Sequence, residues 1–152
     1  MVCLGNICRS PMAHGLLQHK VNQLKLNWKV DSAGTSDWHQ GQLPDKRAID
    51  CMMKHGIDIT YQRSRPFITD DFEDFDLIYV MDKNNYRHVT SMAKNEEEIQ
   101  KVKLLLSEIY QDANTDVPDP YYGGDVGFEH VYKMLDRATD RVIERYSALS
   151  VK

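Results

Sequence analysis

The 152-residue chain lacks any apolar run near the ~20 residues that a helix needs to cross a bilayer, which excludes a helical membrane span. It lacks the basic segment, apolar stretch and small-residue site of a secretory signal, so the cytoplasm is the expected compartment. A basic excess is missing too: 19 Lys and Arg against 23 Asp and Glu leave a formal charge of −4, the wrong sign for a nucleic-acid partner. Cysteine is scarce, and three is an odd number that does not suit a secreted disulfide framework. The pattern Gly-x4-Gly-Lys-Ser/Thr is absent, which removes the P-loop nucleotide enzymes. No repeat, low-complexity tract or linker divides residues 1–152, which are read as one domain. Their 41% hydrophobic and 28% charged content is ordinary for a globular fold.

What is present is an alternation of strand-like and helix-like segments, the pattern of an α/β fold with a parallel sheet. "MVCL" at the start, "WKVDSAG" (28–34), "FDLIYVM" (75–81) and "VKLLL" (102–106) read as strands, the third buried on both faces. A helical stripe over 11–26 repeats Ala13, Leu16, Leu17, Val21 and Leu24, with Ser10 as its N-cap and Pro11 at its first position. Residues 44–55 read as a helix closed by Gly56, and Asp82 can cap a short one. From 127 onward Phe128, Val131, Leu135, Ala138 and Val142 mark a long amphipathic helix. Residues 111–126 are turn-rich, and a loop of that length is either functional or mobile.

The stretch "CLGNICRS" (3–10) joins a strand end to a helix start, the place where open parallel sheets bind ligands. The helix N-terminus offers free N–H groups and partial positive charge to an anion. Gly5 and Asn6 suit left-handed backbone, which curls successive N–H groups into an anion nest, and Arg9 adds a fork that matches two phosphate oxygens. Cys3 at the base of this cup would feel the dipole, the amides and Arg9, all of which favour thiolate; the Ser10 hydroxyl can donate to the sulfur.

Phosphoryl transfer also needs a proton for the leaving oxygen, and Asp119, between Pro118 and Pro120, is the candidate. Tyr121, Tyr122 and Trp38 would wall the cup for an aryl phosphate. Plainer readings stand beside these: Asp119 as a turn residue, Tyr121, Tyr122 and Trp38 as core cover, Cys8 as loop packing. Cys51 shares an apolar helix face with Ala48 and Met52 and is read as core. A zinc set of Cys3, Cys8, His14 and His19 is rejected, because residues five apart on a helix point about 140° from each other and the spacing is not that of a finger. No metal or cofactor is expected.

"VCLGNICRSP" with "DPYY" downstream, and with "VDSAGT" and "MKHGI" between, closely resembles the low-molecular-weight protein tyrosine phosphatases over nearly the whole chain. The resemblance implies a three-layer open sandwich, a four-stranded parallel sheet flanked by helices, with a strand-loop-helix phosphate-binding loop of Leu4, Gly5, Asn6, Ile7, Cys8 and Ser10. It implies Cys3 as the nucleophile that becomes a phosphocysteine, Arg9 as the phosphate clamp, and Asp119 as acid and then base, with no metal. Asn6, Ser10 and Ser32 resemble the polar network that holds the loop. Cys8 resembles a second cysteine that forms a reversible disulfide with Cys3. Tyr121 and Tyr122 resemble rim tyrosines that can themselves be phosphorylated. The substrates implied are phosphotyrosine proteins and small aryl phosphates, with a tyrosine autokinase as a candidate partner and a monomer as the expected state.

Three departures stand out. Only Met1 and Val2 precede Cys3, so either a natural start upstream or a very short first strand is expected. The histidine that often follows "HGI" and supports the loop Asn is replaced by "TYQRSRP", which leaves Tyr61, Gln62 or His55 to do so. Many relatives carry another residue where Trp38 stands. Two rival functions fit the residues less well. A thiol-dependent arsenate reductase of the same fold needs relay cysteines, and residues 75–95 hold none. A non-catalytic phosphotyrosine-binding module would need neither Cys3 nor Asp119.

Overall fold

Four short apolar segments pair into a parallel sheet, and helices fill the chain between them. The computed structural model describes residues 1–110, 115–122 and 125–150. In chain order the elements are β1 (Val2–Cys3), α1 (Arg9–Gln23), β2 (Ala33–Gly34), α2 (Lys46–Lys54), α3 (Asp71–Asp74), β3 (Ile78–Val80), α4 (Lys83–Ser91), α5 (Glu96–Gln100), β4 (Val102–Leu104) and α6 (Asp125–Ser150). Single 3-10 turns cover Leu105–Glu108 and Pro120–Tyr122. Of the turn-rich segment 111–126, residues 111–114 and 123–124 lie outside the described residues. Among the described residues, no helix is long and apolar enough to cross a membrane.

The sheet order is β2-β1-β3-β4. Val2 pairs with Ala33 on one side and Val80 on the other, and Ile78 faces Val102. The chain therefore leaves β1 toward one edge and later returns on its other side. The loop after β1 opens where the strand order reverses, the point at which a doubly wound sheet forms its crevice.

The strands are shorter than the apolar runs that announce them. Of 28–34 only Ala33 and Gly34 join the sheet, while Trp28 and Val30 serve as half-buried packing. Along 78–81 the pleat sends Ile78 and Val80 to one face and Tyr79 and Met81 to the other, all buried. β4 ends at Leu104 because the next residues wind into a 3-10 turn.

Helices α1, α2 and α6 cover one face with Met12, Leu16, Met52, Phe128 and Leu135. Phe67, Phe72 and Val89 cover the other. Each such side chain contributes about 1.5–3 kcal/mol on burial. Lys20 stitches α1 to α6 through Asp136 and Asp140, both at 2.8 Å. Gly15 lets the 57–59 segment lie directly on α1, since a Cβ there would fall 2.4 Å from Ile59 Cγ2.

Helix α1 begins at Arg9, two residues before the predicted start, with Cys8 at the N-cap and no side-chain cap. Ser10 is not the cap, because its hydroxyl is engaged by Cys3 and Asn6. Helix α2 is capped by Asp45, which accepts the Arg47 N–H at 2.8 Å. It is followed by Gly56 at φ +77°, a left-handed position that glycine takes without strain. Asp82 caps α4 in a reciprocal box with Asn85.

Candidate active site

The loop from Cys3 to Arg9 is shaped by what holds its carbonyl groups. Leu4 O accepts the Ser36 N–H at 3.0 Å, and Ile7 O accepts the Asp45 N–H at 2.8 Å. Gly5 O accepts the Ser64 hydroxyl at 3.1 Å. Because C=O and N–H of a trans peptide point in opposite directions, the N–H groups of Gly5, Asn6 and Cys8 turn away from these outside partners. The Asn6 N–H accordingly donates to Cys3 Sγ at 3.3 Å. This is the nest geometry that the sequence suggested.

One residue makes the turn. Of the two loop residues suited to left-handed backbone, Asn6 takes it, at φ +56°, and Gly5 does not. A non-glycine residue in this region is strained, and the side chain of Asn6 is pinned accordingly. Its Nδ2 donates to Ser10 Oγ at 2.8 Å and to Ser32 Oγ at 3.1 Å. Its Oδ1 accepts the Arg65 N–H at 3.0 Å.

Cys3 is 3% exposed, and its Sγ lies 3.1 Å from Ser10 Oγ, at the first turn of α1. Cys8 is also buried, and its thiol is pushed up by burial, with the Asp45 carboxylate and Cys3 adding to the effect. The Cys8 thiol therefore stays protonated.

Arg9 is buried too. Its Nη1 donates to Asp82 Oδ2 at 2.7 Å and to Val117 O at 3.0 Å. Its Nη2 lies 3.7 Å from Asp119 Oδ2. Burial opposes charge on the guanidinium, but Cys3, Asp82 and Asp119 outweigh it and hold Arg9 above its ordinary value. Asp119 reaches the site because the Val117 N–H pairs with Met81 O, just beyond β3. Its Oδ1 also accepts the Tyr121 N–H at 3.0 Å, which fixes the turn.

A cleft of about 280 Å³ is lined by Cys3, Leu4, Gly5, Ile7, Cys8 and Arg9 at its floor and by Trp38, His39, Asp119, Tyr121 and Tyr122 above. Trp38 and Tyr122 are largely exposed, and the Tyr121 and Tyr122 rings meet edge to face at 5.0 Å. The Arg47 guanidinium sits 5.3 Å over Tyr121 and 4.9 Å over Phe128, tying the rim to α2 and α6.

His55 does not support the loop. As the C-cap of α2 it projects away from the cup, bonds both Glu129 oxygens at 3.1 Å and stacks on Tyr132. Tyr61 and Gln62 are not direct supports of Asn6 either: Tyr61 packs edge-on against His14 at 5.8 Å, and Gln62 donates to Pro11 O. The support comes from His14, whose Nδ1 lies 3.2 Å from Ser32 Oγ, and from the Arg65 backbone. His14 was readable in principle, since it follows Ser10 by four residues and so shares its helix face. Burial pushes its imidazole down to about 4. Asp82 was read only as a helix cap; its hold on Arg9 has no local signal.

A family model described as low molecular weight phosphotyrosine protein phosphatase matches residues 1–150. The human protein of that description is 38% identical over 147 residues, covering 95% of this chain and 92% of its own length. A protein tyrosine phosphatase from Entamoeba histolytica, solved with Hepes in its active site, superposes with a TM-score of 0.90 at 36% identity, covering 97% and 94% of the two chains. A Drosophila arginine phosphatase superposes at 0.87 with 35% identity over 95% and 94%.

Proposed function

The chain belongs to the low molecular weight phosphotyrosine protein phosphatase family, and from that premise we propose that it hydrolyses phosphotyrosine through a phosphocysteine at Cys3. The observation that carries the reading is the convergence of Cys3, Arg9 and Asp119 on one cleft, with Arg9 only 3.7 Å from the Asp119 carboxylate. A phosphate seated on the loop amides meets the guanidinium on one side and the thiol below. The Asn6 N–H and the Ser10 hydroxyl stabilise negative charge on sulfur.

In the first step a Cys3 S–P bond forms as the P–O bond to the tyrosyl oxygen breaks, and Asp119 delivers its proton to that oxygen. In the second, the Asp119 carboxylate takes a proton from water as the water attacks phosphorus. The S–P bond then breaks, inorganic phosphate leaves, and Ser10 steadies the returning thiolate. Arg9 stabilises the charge on the transferring group in both steps. Trp38, Tyr121 and Tyr122 embrace the ring of the substrate. Phosphotyrosine proteins are the proposed substrates, with a tyrosine autokinase among them.

We also assign Cys8 as the partner that captures an oxidised Cys3. The Cys3 sulfenic acid and the Cys8 thiol give a disulfide and water. Peroxide inactivation that reducing agent reverses in the wild type, but not in Cys8→Ala, is the expected result; equal recovery in both would remove the role.

The test of the main reading is rapid-quench mass spectrometry after mixing with a phosphotyrosine peptide. A phosphate adduct on Cys3 that forms and decays at least as fast as turnover supports it. Phosphate release with no adduct overturns the mechanism, and tight binding with neither makes the chain a binding module. Faster turnover of a phosphoarginine peptide would overturn the choice of substrate.

A further inference from the structure

Away from the cleft, at the seam of α2 and α6, three different ligand-type side chains converge. Cys51 and His55 stand four residues apart on the same face of α2 and its C-cap, and Glu129 faces them from α6. Their donor atoms all lie within 4.8 Å of one another. We propose that Cys51, His55 and Glu129 form a binding site for a zinc-type divalent cation.

Two of the three spacings are close to what the chemistry asks, and the third, between Cys51 and His55, is within 4.8 Å. Tetrahedral zinc with bonds of about 2.0 Å to N and O and about 2.3 Å to S sets ligand atoms roughly 3.3–3.5 Å apart. Here His55 Nε2 is 3.1 Å from both Glu129 oxygens, and Cys51 Sγ is 3.5 Å from Glu129 Oε1. The ring of His55 is already oriented, stacked on Tyr132 at 3.7 Å between centroids and 8° between planes. The stack fixes the ring plane, so Nε2 is already presented to Glu129.

Access fits as well. Cys51 is buried at the floor, while the His55 and Glu129 side chains are about one-third exposed, at 33% and 35%. The ion can enter from solvent, and water completes its fourth position. Binding displaces the Cys51 thiol proton to solvent and leaves the His55 ring proton on Nδ1 instead of on Nε2, where it now donates to Glu129, so that thiolate, imidazole and carboxylate are the ligands. The zinc reading set aside in the sequence concerned Cys3, Cys8, His14 and His19; this set shares no residue with it. A plain hydrogen-bonded cluster, with Glu129 accepting from both Cys51 and His55, is the competing account, and a thiolate-to-cobalt band separates the two.

The experiment is titration of the wild-type chain with Co²⁺, read by thiolate-to-cobalt charge-transfer absorption, and with Zn²⁺, read by thermal midpoint. Saturating band growth to one equivalent is expected in the wild type and in Cys3→Ser, with loss in Cys51→Ser. Glu129→Gln and His55→Gln, at partly exposed positions, should bind at least tenfold more weakly and lose the zinc-induced rise in midpoint. The absence of a band would overturn the proposal. So would a band that survives Cys51→Ser but vanishes in Cys3→Ser, or a zinc shift unchanged in Glu129→Gln.

Discussion

Asp82 and Arg9 meet at 2.7 Å from opposite sides of the crevice, one at the end of β3 and the other at the start of α1. The same aspartate caps α4 through its other oxygen, at 2.7 Å from the Asn85 N–H. One carboxylate thus fixes a helix and aims the guanidinium. In Asp82→Asn the cap persists, because Asn caps as well as Asp, but the charge is gone. Loss of a charge-assisted bond of about 1.5–3 kcal/mol should lower kcat/KM by roughly 10- to 150-fold. Steady-state kinetics on an aryl phosphate reads it, and wild-type kcat/KM in this variant would deny Asp82 its positioning role.

Asp119→Asn should discriminate between leaving groups. An aryl phosphate whose phenolate leaves without a proton needs no acid, whereas tyrosine does. Turnover of phosphotyrosine should fall by about 10²- to 10⁴-fold, the usual contribution of general acid catalysis, and much less for the activated ester. Equal losses on both would mean that Asp119 acts only through its contact with Arg9.

His14 gives the fold a dependence on pH. Burial lowers its imidazole from 6.5 to about 4, so the unfolded chain binds the extra proton first as pH falls. Stability is complete above pH 6.5 and is lost between 6.5 and about 4, by an amount on the order of 3 kcal/mol from this group. Thermal midpoints measured from pH 7 to 4.5 should drop more steeply in the wild type than in His14→Gln. Parallel slopes would show that other groups carry the effect.

Gly15→Ala tests how tightly α1 seats on the 57–59 segment. Alanine is the better helix former by roughly 1 kcal/mol, yet its Cβ would fall 2.4 Å from Ile59 Cγ2. Overpacking of this kind costs about 1–3 kcal/mol, so net destabilisation is expected in urea titration. A stabilised variant would mean that Ile59 can swing aside.

The legible parts of this protein are those encoded by short spacing. Cys3, Asn6, Arg9 and Ser10 lie within one loop, and Asp119 sits in its own proline-framed turn. Strand order and the partners of the loop were not legible in the same way. Asp82 reaches Arg9 across 73 positions and Arg65 reaches Asn6 across 59, distances over which sequence carries no spacing signal. His55 misled because a resemblance assigned a role to a residue type, whereas the helix end on which it stands points elsewhere. The helix start was misplaced because Ser10 had a better use than capping: its hydroxyl serves the sulfur.

Asn6 carries one more implication. Its left-handed turn is secured from positions 10, 32 and 65, so no fragment of the chain can own the cup. A peptide with the opening loop and α1 would reproduce the motif as text but not as an object. Heat should therefore abolish activity and tertiary structure in a single event, with no partly folded species left that still turns over substrate.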